Sequence, residues 1–155
     1  MTHNIVLFLQ VVGATVLLGT GAGIAFFMVI SQRSRDPGLI AHVSGIVVLA
    51  DGVFTATAVV AQPVTGVLLA RHSGWPLFEG WVGLSLVLYG VNGAFWLPVV
   101  WMQIRLHRMA RAAQEAGMPL PPGWHRLYRL WFAFGFPAFG AVLAIVWLMV
   151  TKPAL

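Results

Sequence analysis

The stretch VVLADGVFTATAVVAQPVTG, residues 47–66, decides the fold, because it is almost wholly apolar and yet contains a carboxylate, Asp51. A helix needs about 20 apolar residues to cross the roughly 30 Å hydrocarbon core of a membrane. The apolar run around this stretch extends over about residues 43–70. We therefore predict a transmembrane helix here, with one ionisable group inside the membrane.

Three further stretches have the same length and character. The chain is 59% hydrophobic and only 8% charged, whereas about a quarter of the residues in a soluble domain are charged. The predicted spans lie at about residues 5–30, 43–70, 76–104 and 127–150. The connections leave no room for a soluble domain, so we predict an all-α fold, a four-helix transmembrane bundle forming one integral membrane domain over residues 1–155.

The net charge of +5 follows the predicted topology. If the spans alternate in direction, only Arg71 and Lys152 lie on one side of the membrane. Seven arginines lie on the other side: Arg33, Arg35, Arg105, Arg108, Arg111, Arg126 and Arg129. This asymmetry predicts that the arginine-rich side is cytoplasmic and that both termini are outside. Since topology accounts for the charge, we expect no nucleic-acid binding.

The segment IRLHRMARAAQEAG, residues 104–117, is predicted to continue the third helix as a basic interfacial extension between helices 3 and 4. Its apolar face consists of Leu106, Met109, Ala110 and Ala113, and its basic face of Arg105, Arg108 and Arg111. We expect the basic face to contact anionic lipid headgroups. Where helix 4 re-enters the membrane, the positions of Trp124, Tyr128 and Trp131 are typical of an aromatic belt at the interface.

Glycine and proline mark positions where helices pack or bend. Gly19 and Gly23 form a small-xxx-small pair, which allows two membrane helices to approach closely. Prolines inside three spans each remove a backbone donor and free the carbonyl four residues earlier. Those prolines are Pro63, Pro98 and Pro137, and the carbonyls that they free belong to Val59, Ala94 and Ala133.

Two helices carry aligned polar side chains. At 100° per residue, Asp51 and Thr55 lie on one line of helix 2 together with Ser44 and Gln62. Helix 3 carries a matching face that contains Ser85, Tyr89, Asn92, Trp96 and Gln103. Because exposing several polar groups to lipid is unfavourable, we predict that the two faces meet in a buried polar seam formed by Asp51, Thr55, Gln62, Tyr89, Asn92 and Trp96.

A second candidate site would use the side chains that can hold a metal or cofactor. Five histidines are present, but none lies in the middle of a span. Mixed His/Met ligation of haem or copper would be offered by His42 together with Met28 and Met102. The cofactor itself stays open, with haem b as one candidate. No metal site stands out from the residue spacing.

Four strings together resemble the bacterial integral membrane proteins of domain of unknown function 2269. They are GTGAGIAFFMV (19–29), VVLADGVFTATAVVAQPVTG (47–66), WLPVVWMQIRLHRMARAA (96–113) and LYRLWFAFGFPAFGAVLAIVWLMVTKP (127–153). The resemblance covers nearly the whole chain and implies a small four-helix protein of the bacterial inner membrane. It brings no established biochemical role to Asp51 or Gln62.

A weaker resemblance is to small four-helix membrane proteins of the HemJ and CopD type. It implies haem b or copper chemistry, with an inward-facing histidine in the first helix. Here the corresponding string is LFLQVVGA, residues 7–14, and Gln10 stands where that histidine is expected. Glutamine is a poor haem ligand, so Gln10 is a candidate cofactor residue only because of its position in the first helix.

Three functions are open on these observations, and the sequence does not decide whether any reaction is catalysed. The first is an accessory or assembly subunit of a larger membrane complex, or of a homo-oligomer. The second is a redox-associated protein that binds haem, a porphyrin or a quinone. The third is a proton- or ion-conducting element centred on Asp51. An intramembrane ionisable residue is a functional hypothesis by default, but the alternative that Asp51 is protonated or hydrogen-bonded and simply holds helices 2 and 3 together stays equally open.

Overall fold

The computed structural model describes residues 2–154, so Met1 and Leu155, which belong to the predicted domain, lie outside the described residues. Four long helices and no strand are present in this part of the chain. They are α1 (Thr2–Ser34), α2 (Pro37–His72), α3 (Gly80–Glu115) and α4 (Pro122–Thr151). All four are long and apolar enough to cross a membrane, which confirms the predicted four-helix transmembrane fold.

Local signals set where the helices begin and end. The Asp36 carboxylate accepts a hydrogen bond of 2.9 Å from the Gly38 amide, and Pro37 occupies the first turn of α2, where no backbone donor is needed. α3 ends at Glu115, and Gly117, two residues beyond, has a left-handed φ of 62° that suits glycine. The predicted basic extension is therefore part of one continuous helix, α3, that reaches Glu115.

The helices pack in sequence order, α1 on α2, α2 on α3 and α3 on α4, and α4 returns to α1 to close the bundle. Consecutive helices run in opposite directions. The α1–α2 and α3–α4 connections consequently lie at one end, which we call the basic end. The two chain termini and the α2–α3 connection lie at the other, which we call the terminal end.

An apolar cluster fills the bundle near the basic end. Five side chains from all four helices form its centre, and we call them the apolar plug: Met28, Ile40, Leu106, Ala110 and Trp124. None of these five is more than 1% exposed. The plug therefore leaves little space between the helices at this end.

The expectation of an aromatic belt is wrong for two of its three residues. Trp124 is fully buried, and its indole N–H donates to the Leu106 carbonyl at 3.1 Å. Trp131 is 4% exposed, and its indole N–H donates to Gln103 Oε1 at 3.0 Å. Buried acceptors on α3 satisfy both N–H groups, so these rings pack in the interior of the α3–α4 hairpin instead of anchoring at the interface.

The predicted close approach at Gly19 and Gly23 does not occur inside the bundle. A Cβ built on either residue would meet nothing within 4 Å, because this face of α1 points away from the other helices. The close approach lies at Gly13 instead, where a Cβ would come within 2.2 Å of Gln62 Nε2. Absence of a side chain at Gly13 therefore lets α2 contact α1.

Candidate functional site

The Asp51 region of α2 is not a regular α-helix. Residues Asp51–Thr55 form one turn of π-helix, in which the Ala56 amide bonds to the Asp51 carbonyl five residues earlier. Such a turn takes up one residue more than an α-helical turn, and π turns are frequent at functional sites. Asp51 and Thr55 stand at its two ends, and both side chains are buried. The irregular backbone and the ionisable side chain thus coincide.

Asp51 and Thr55 line a cavity of about 240 Å³ that we call the Asp51 cavity. All four helices contribute to its wall. Its polar side chains come from α2 and α3, whereas α4 supplies aromatic rings: Trp131, Phe132, Phe136 and Phe139. Within the described residues, Asp51 is the single titratable group in this wall. The result is a largely apolar, ring-lined space with polar groups concentrated on one side.

Unpartnered polar atoms converge on this cavity. Among the described residues, five buried side-chain atoms have no hydrogen-bond partner, and four of them belong to residues that line it. These are Asp51 Oδ2, Thr55 Oγ1, Trp96 Nε1 and Gln103 Nε2. Thr55 and Trp96 lie beside the Asp51 carboxyl, yet neither side chain meets the geometry of a hydrogen bond to it. Since buried polar groups in native proteins are nearly always paired, this cluster requires an explanation.

The structure brings together four of the six residues predicted for the polar seam. Asp51, Thr55, Asn92 and Trp96 all line the Asp51 cavity. Tyr89 lies farther toward the terminal end, where its hydroxyl donates to the Val59 carbonyl. That carbonyl is the one that Pro63 deprives of its helical donor, so Tyr89 replaces a missing backbone hydrogen bond.

Gln62, the sixth residue, faces α1 rather than α3. Its Nε2 donates to the Gln10 carbonyl at 2.9 Å, and its Oε1 accepts from Gln10 Nε2 at 3.1 Å. Thr65 donates to Gln10 Oε1 and completes the network. The buried positions of α2 keep helical spacing through the π turn, at Asp51, Thr55, Ala58, Gln62 and Thr65. Gln62 therefore lies on the inward face of α2, and it differs from the predicted seam only in the helix that it contacts.

A second cavity, of about 250 Å³, lies in the half of the bundle toward the terminal end. We call it the Gln10 cavity. Gln10, Gln62, Ser85 and Tyr89 contribute polar groups to its wall, and it contains the fifth unpartnered atom, Trp81 Nε1. The wall also includes His3 and Lys152, near the two chain termini. The Gln10 cavity and the Asp51 cavity therefore lie at different depths along the bundle.

The four candidate cofactor residues do not come together. Gln10 is engaged by Gln62 and Thr65, Met28 and Met102 pack in the apolar cluster, and His42 is exposed. Among the described residues, no histidine or methionine lines the Asp51 cavity. The arrangement does not fit the haem ligation that the weaker resemblance implies, and the residues that the structure describes contain no cluster suited to a metal ion.

Gln103 is a residue of the site that the predicted seam left out. It is 1% exposed, accepts from Trp131 and leaves its Nε2 free toward the cavity. The periodicity of α3 had placed Gln103 on the polar face, which was the available signal. The sequence could not predict the hydrogen bond between Gln103 and Trp131, because it depends on how α4 packs against α3.

Comparison with known proteins agrees with this architecture. No curated protein and no solved structure matches the chain. The family model described as predicted integral membrane protein (DUF2269) matches residues 4–153, which include all four helices except the first two residues of α1. The chain therefore belongs to the DUF2269 family of integral membrane proteins.

Proposed function

We propose that the protein binds a small lipid-soluble aromatic molecule with ring oxygens, of the quinone or phenol class, in the Asp51 cavity. The convergence of four unpartnered polar atoms on one apolar cavity carries this proposal. Ligand pockets combine mostly apolar walls with a few polar groups that fix orientation. The Asp51 cavity has this composition inside a transmembrane bundle.

The hydrogen-bonding groups match the oxygens of such a ring. Thr55, Trp96 and Gln103 each offer a donor, and the ring oxygens of a quinone are acceptors. Asp51 offers an acceptor, to which the O–H of a quinol or phenol can donate. Aromatic side chains of α4 supply flat surfaces for offset or edge-to-face contact with the ring.

Access from the bilayer supports a lipid-soluble ligand. Phe132 and Phe136 line the cavity and are also 40% and 65% exposed on the outside of the bundle. Ala22 of α1 likewise lines the cavity and is exposed. α1 packs only loosely against α4, so the gap between these two helices offers a route from lipid to Asp51.

The test is a titration of the purified protein in lipid nanodiscs with a short-chain benzoquinone. Binding to the native state raises Tm with ligand concentration. Thr55→Val is nearly isosteric and removes an O–H that has no partner, so it should weaken binding by about 2- to 10-fold, the equivalent of one hydrogen bond. Thr57→Val is the matched control, because Thr57 is exposed and its hydroxyl bonds only to its own helix.

Equal Tm shifts for Thr55→Val and Thr57→Val would show that the quinone binds elsewhere. No shift in the wild type at saturating quinone would remove this class of ligand. Trp96→Phe provides a second variant with the same expectation as Thr55→Val, and Trp101→Phe is its control, since Trp101 is 56% exposed and lines neither cavity.

A second candidate function is an accessory or assembly subunit. The observation that favours it is the outward face of Gly19 and Gly23, which has room for a helix of another subunit or of a second copy. Gly19→Leu combined with Gly23→Leu should then abolish association, measured by cross-linking in native membranes. Unchanged association of the double variant would leave this face without a role.

We propose the bacterial inner membrane as the location, with both termini outside. The exposed side chains of Arg105, Arg108 and Arg111 at the basic end support this orientation, with anionic headgroups as their partners. The chain contains no cysteine, so single cysteines report sidedness. An impermeant thiol reagent applied to intact cells should label Lys152→Cys and spare Gln114→Cys. The opposite labelling would invert the proposed topology.

A further inference from the structure

The Gln10 cavity and the Asp51 cavity meet inside the bundle. Leu17, Asn92 and Val142 line both of them. Asn92 is the polar member of this shared wall and is 6% exposed. A polar side chain thus stands between the terminal half of the bundle and the buried carboxyl of Asp51.

The Gln10 cavity offers hydrogen-bonding groups to water, although apolar side chains make up most of its wall. Ser85, Tyr89 and the unpartnered Trp81 Nε1 lie in its wall together with the amides of Gln10 and Gln62. Buried water requires several polar partners of this kind. His3 and Lys152, also in the wall, belong to the ends of α1 and α4, where the bundle meets the aqueous phase.

The other end of the bundle is closed. Between the Asp51 cavity and the basic end lies the apolar plug, whose side chains are at most 1% exposed. The apolar side chains of the plug provide no hydrogen-bonding groups along which water or protons could pass. The polar side chains beside it, Ser31, Ser44 and His107, are hydrogen-bonded to one another or to backbone carbonyls. Among the described residues, the cavity that leads from Asp51 toward an end of the bundle therefore extends to the terminal end.

We propose that the Gln10 cavity is a water-filled half-channel that connects Asp51 with the aqueous phase at the terminal end. A hydronium ion at that end releases a proton, water molecules relay it past Asn92, and the Asp51 carboxylate becomes a carboxylic acid. The reverse sequence returns the proton to the same side. The titratable groups along this route are His3, Tyr89 and Lys152, and none besides Asp51 lines the inner cavity within the described residues.

This inference stands apart from the proposed ligand, because it concerns water and protons alone. Its first test uses single cysteines in the cysteine-free chain and an impermeant methanethiosulfonate reagent. Such reagents require a thiolate, which forms in water and not in lipid or a dry core. Ser85→Cys in the half-channel should react at least about tenfold faster than Val87→Cys on the lipid face or Ala110→Cys in the plug.

A second test follows hydrogen–deuterium exchange at Asp51 by infrared spectroscopy of the C=O stretch of the protonated carboxyl, recorded at a pH low enough to protonate Asp51, with Asp51→Asn to assign the band. After transfer into D2O, the wild-type band should shift within the mixing time. Leu86→Trp, which fills the Gln10 cavity, and Asn92→Leu, which closes the shared wall, should each slow the shift at least tenfold. Thr57→Val should leave the rate unchanged.

Two results would overturn the half-channel. One is a Ser85→Cys reaction no faster than that of Val87→Cys. The other is an Asp51 band that exchanges equally fast in the wild type and in Leu86→Trp. Because Leu86→Trp and Asn92→Leu obstruct the route at different places, folding of either one keeps the second test decisive.

Discussion

At the scale of single residues, Asp51 is held where its polar atoms are poorly satisfied. Its Oδ2 has no partner within the described structure, and the Oγ1 of neighbouring Thr55 has none. Leaving a buried polar group unpaired costs about 1–3 kcal/mol. Trp96 of α3 lies beside this carboxyl, but its indole N–H is among the unpartnered atoms and does not form a hydrogen bond of normal geometry to it. A site that receives a ligand or water explains the unpaired atoms better.

This reading predicts that Asp51→Leu stabilises the ligand-free protein. Removing the unpaired carboxyl should raise the free energy of unfolding by about 1–3 kcal/mol, measured as a higher Tm in detergent. Gln62→Leu is the comparison, because it breaks a satisfied network with Gln10 and should lower Tm. A lower Tm for both variants would mean that Asp51 serves as packing.

Gly13 gives a prediction of the opposite sign. Gly13→Ala places a Cβ 2.2 Å from Gln62 Nε2, so the network between α1 and α2 must shift, at a cost of about 1–3 kcal/mol. Gly19→Ala on the same helix meets no neighbour and should leave Tm unchanged or higher. The measurement is thermal unfolding of the two variants in the same detergent. Equal Tm values would contradict the close contact between Gly13 and Gln62.

At the scale of elements, α2 shows which structural features can be predicted from the sequence and which cannot. Its existence follows from an apolar run, and its polar side chains could be assigned to one face. The residues DGVFT gave no indication of the π turn at Asp51–Thr55. The periodicity of α2 identified its inward face, which contains Asp51, Thr55 and Gln62. It could not show that Gln62 contacts α1 instead of α3, because that depends on how the four helices pack.

Deleting one residue from the π turn should be tolerated. Removal of Gly52, which is exposed, turns the π turn into an α-helical turn and preserves the faces on both sides. Tm should then stay within a few degrees of wild type. Removal of the exposed Val60 instead rotates the rest of α2 by about 100° and should lower Tm sharply by separating Gln62 from Gln10. A reversed order would refute the register argument.

The hydroxyl of Tyr89 should matter only while Pro63 is present. Tyr89→Phe leaves the Val59 carbonyl without its donor, and we expect a loss of about 1–3 kcal/mol. In the background of Pro63→Ala, which restores a backbone donor, the loss should become smaller. Tyr128→Phe is the matched control, because the Tyr128 hydroxyl makes no hydrogen bond within the described residues. A double-mutant cycle measured by unfolding gives the coupling.

At the scale of the whole molecule, composition and charge were sufficient for the four spans. Composition and charge were not sufficient to predict which side chains pack inside the bundle. Trp124 and Trp131 lie at sequence positions typical of an aromatic belt at the membrane interface. In the structure both rings are buried, and their N–H groups donate to acceptors on α3. Gly19 and Gly23 have the spacing of a packed pair, yet they face outward. Which face of a lipid-exposed helix turns inward depends on all four helices together.

The assembled bundle has a clear polarity along its axis. The plug closes the basic end, the Gln10 cavity occupies the terminal half, and the Asp51 cavity lies between them with an opening toward lipid. This order allows Asp51 to meet a ligand from the bilayer and protons from one side of the membrane. The central claim is that the Asp51 cavity is a binding site.

The most direct measurement is the quinone titration of the wild type beside the double variant Thr55→Val/Trp96→Phe in lipid nanodiscs. Both removed donors are unpartnered, so the ligand-free variant should unfold at the wild-type Tm or above it. The account predicts that quinone raises the Tm of the wild type in a saturable manner and shifts that of the double variant much less. Equal shifts in the two proteins, or no shift in the wild type, would contradict it.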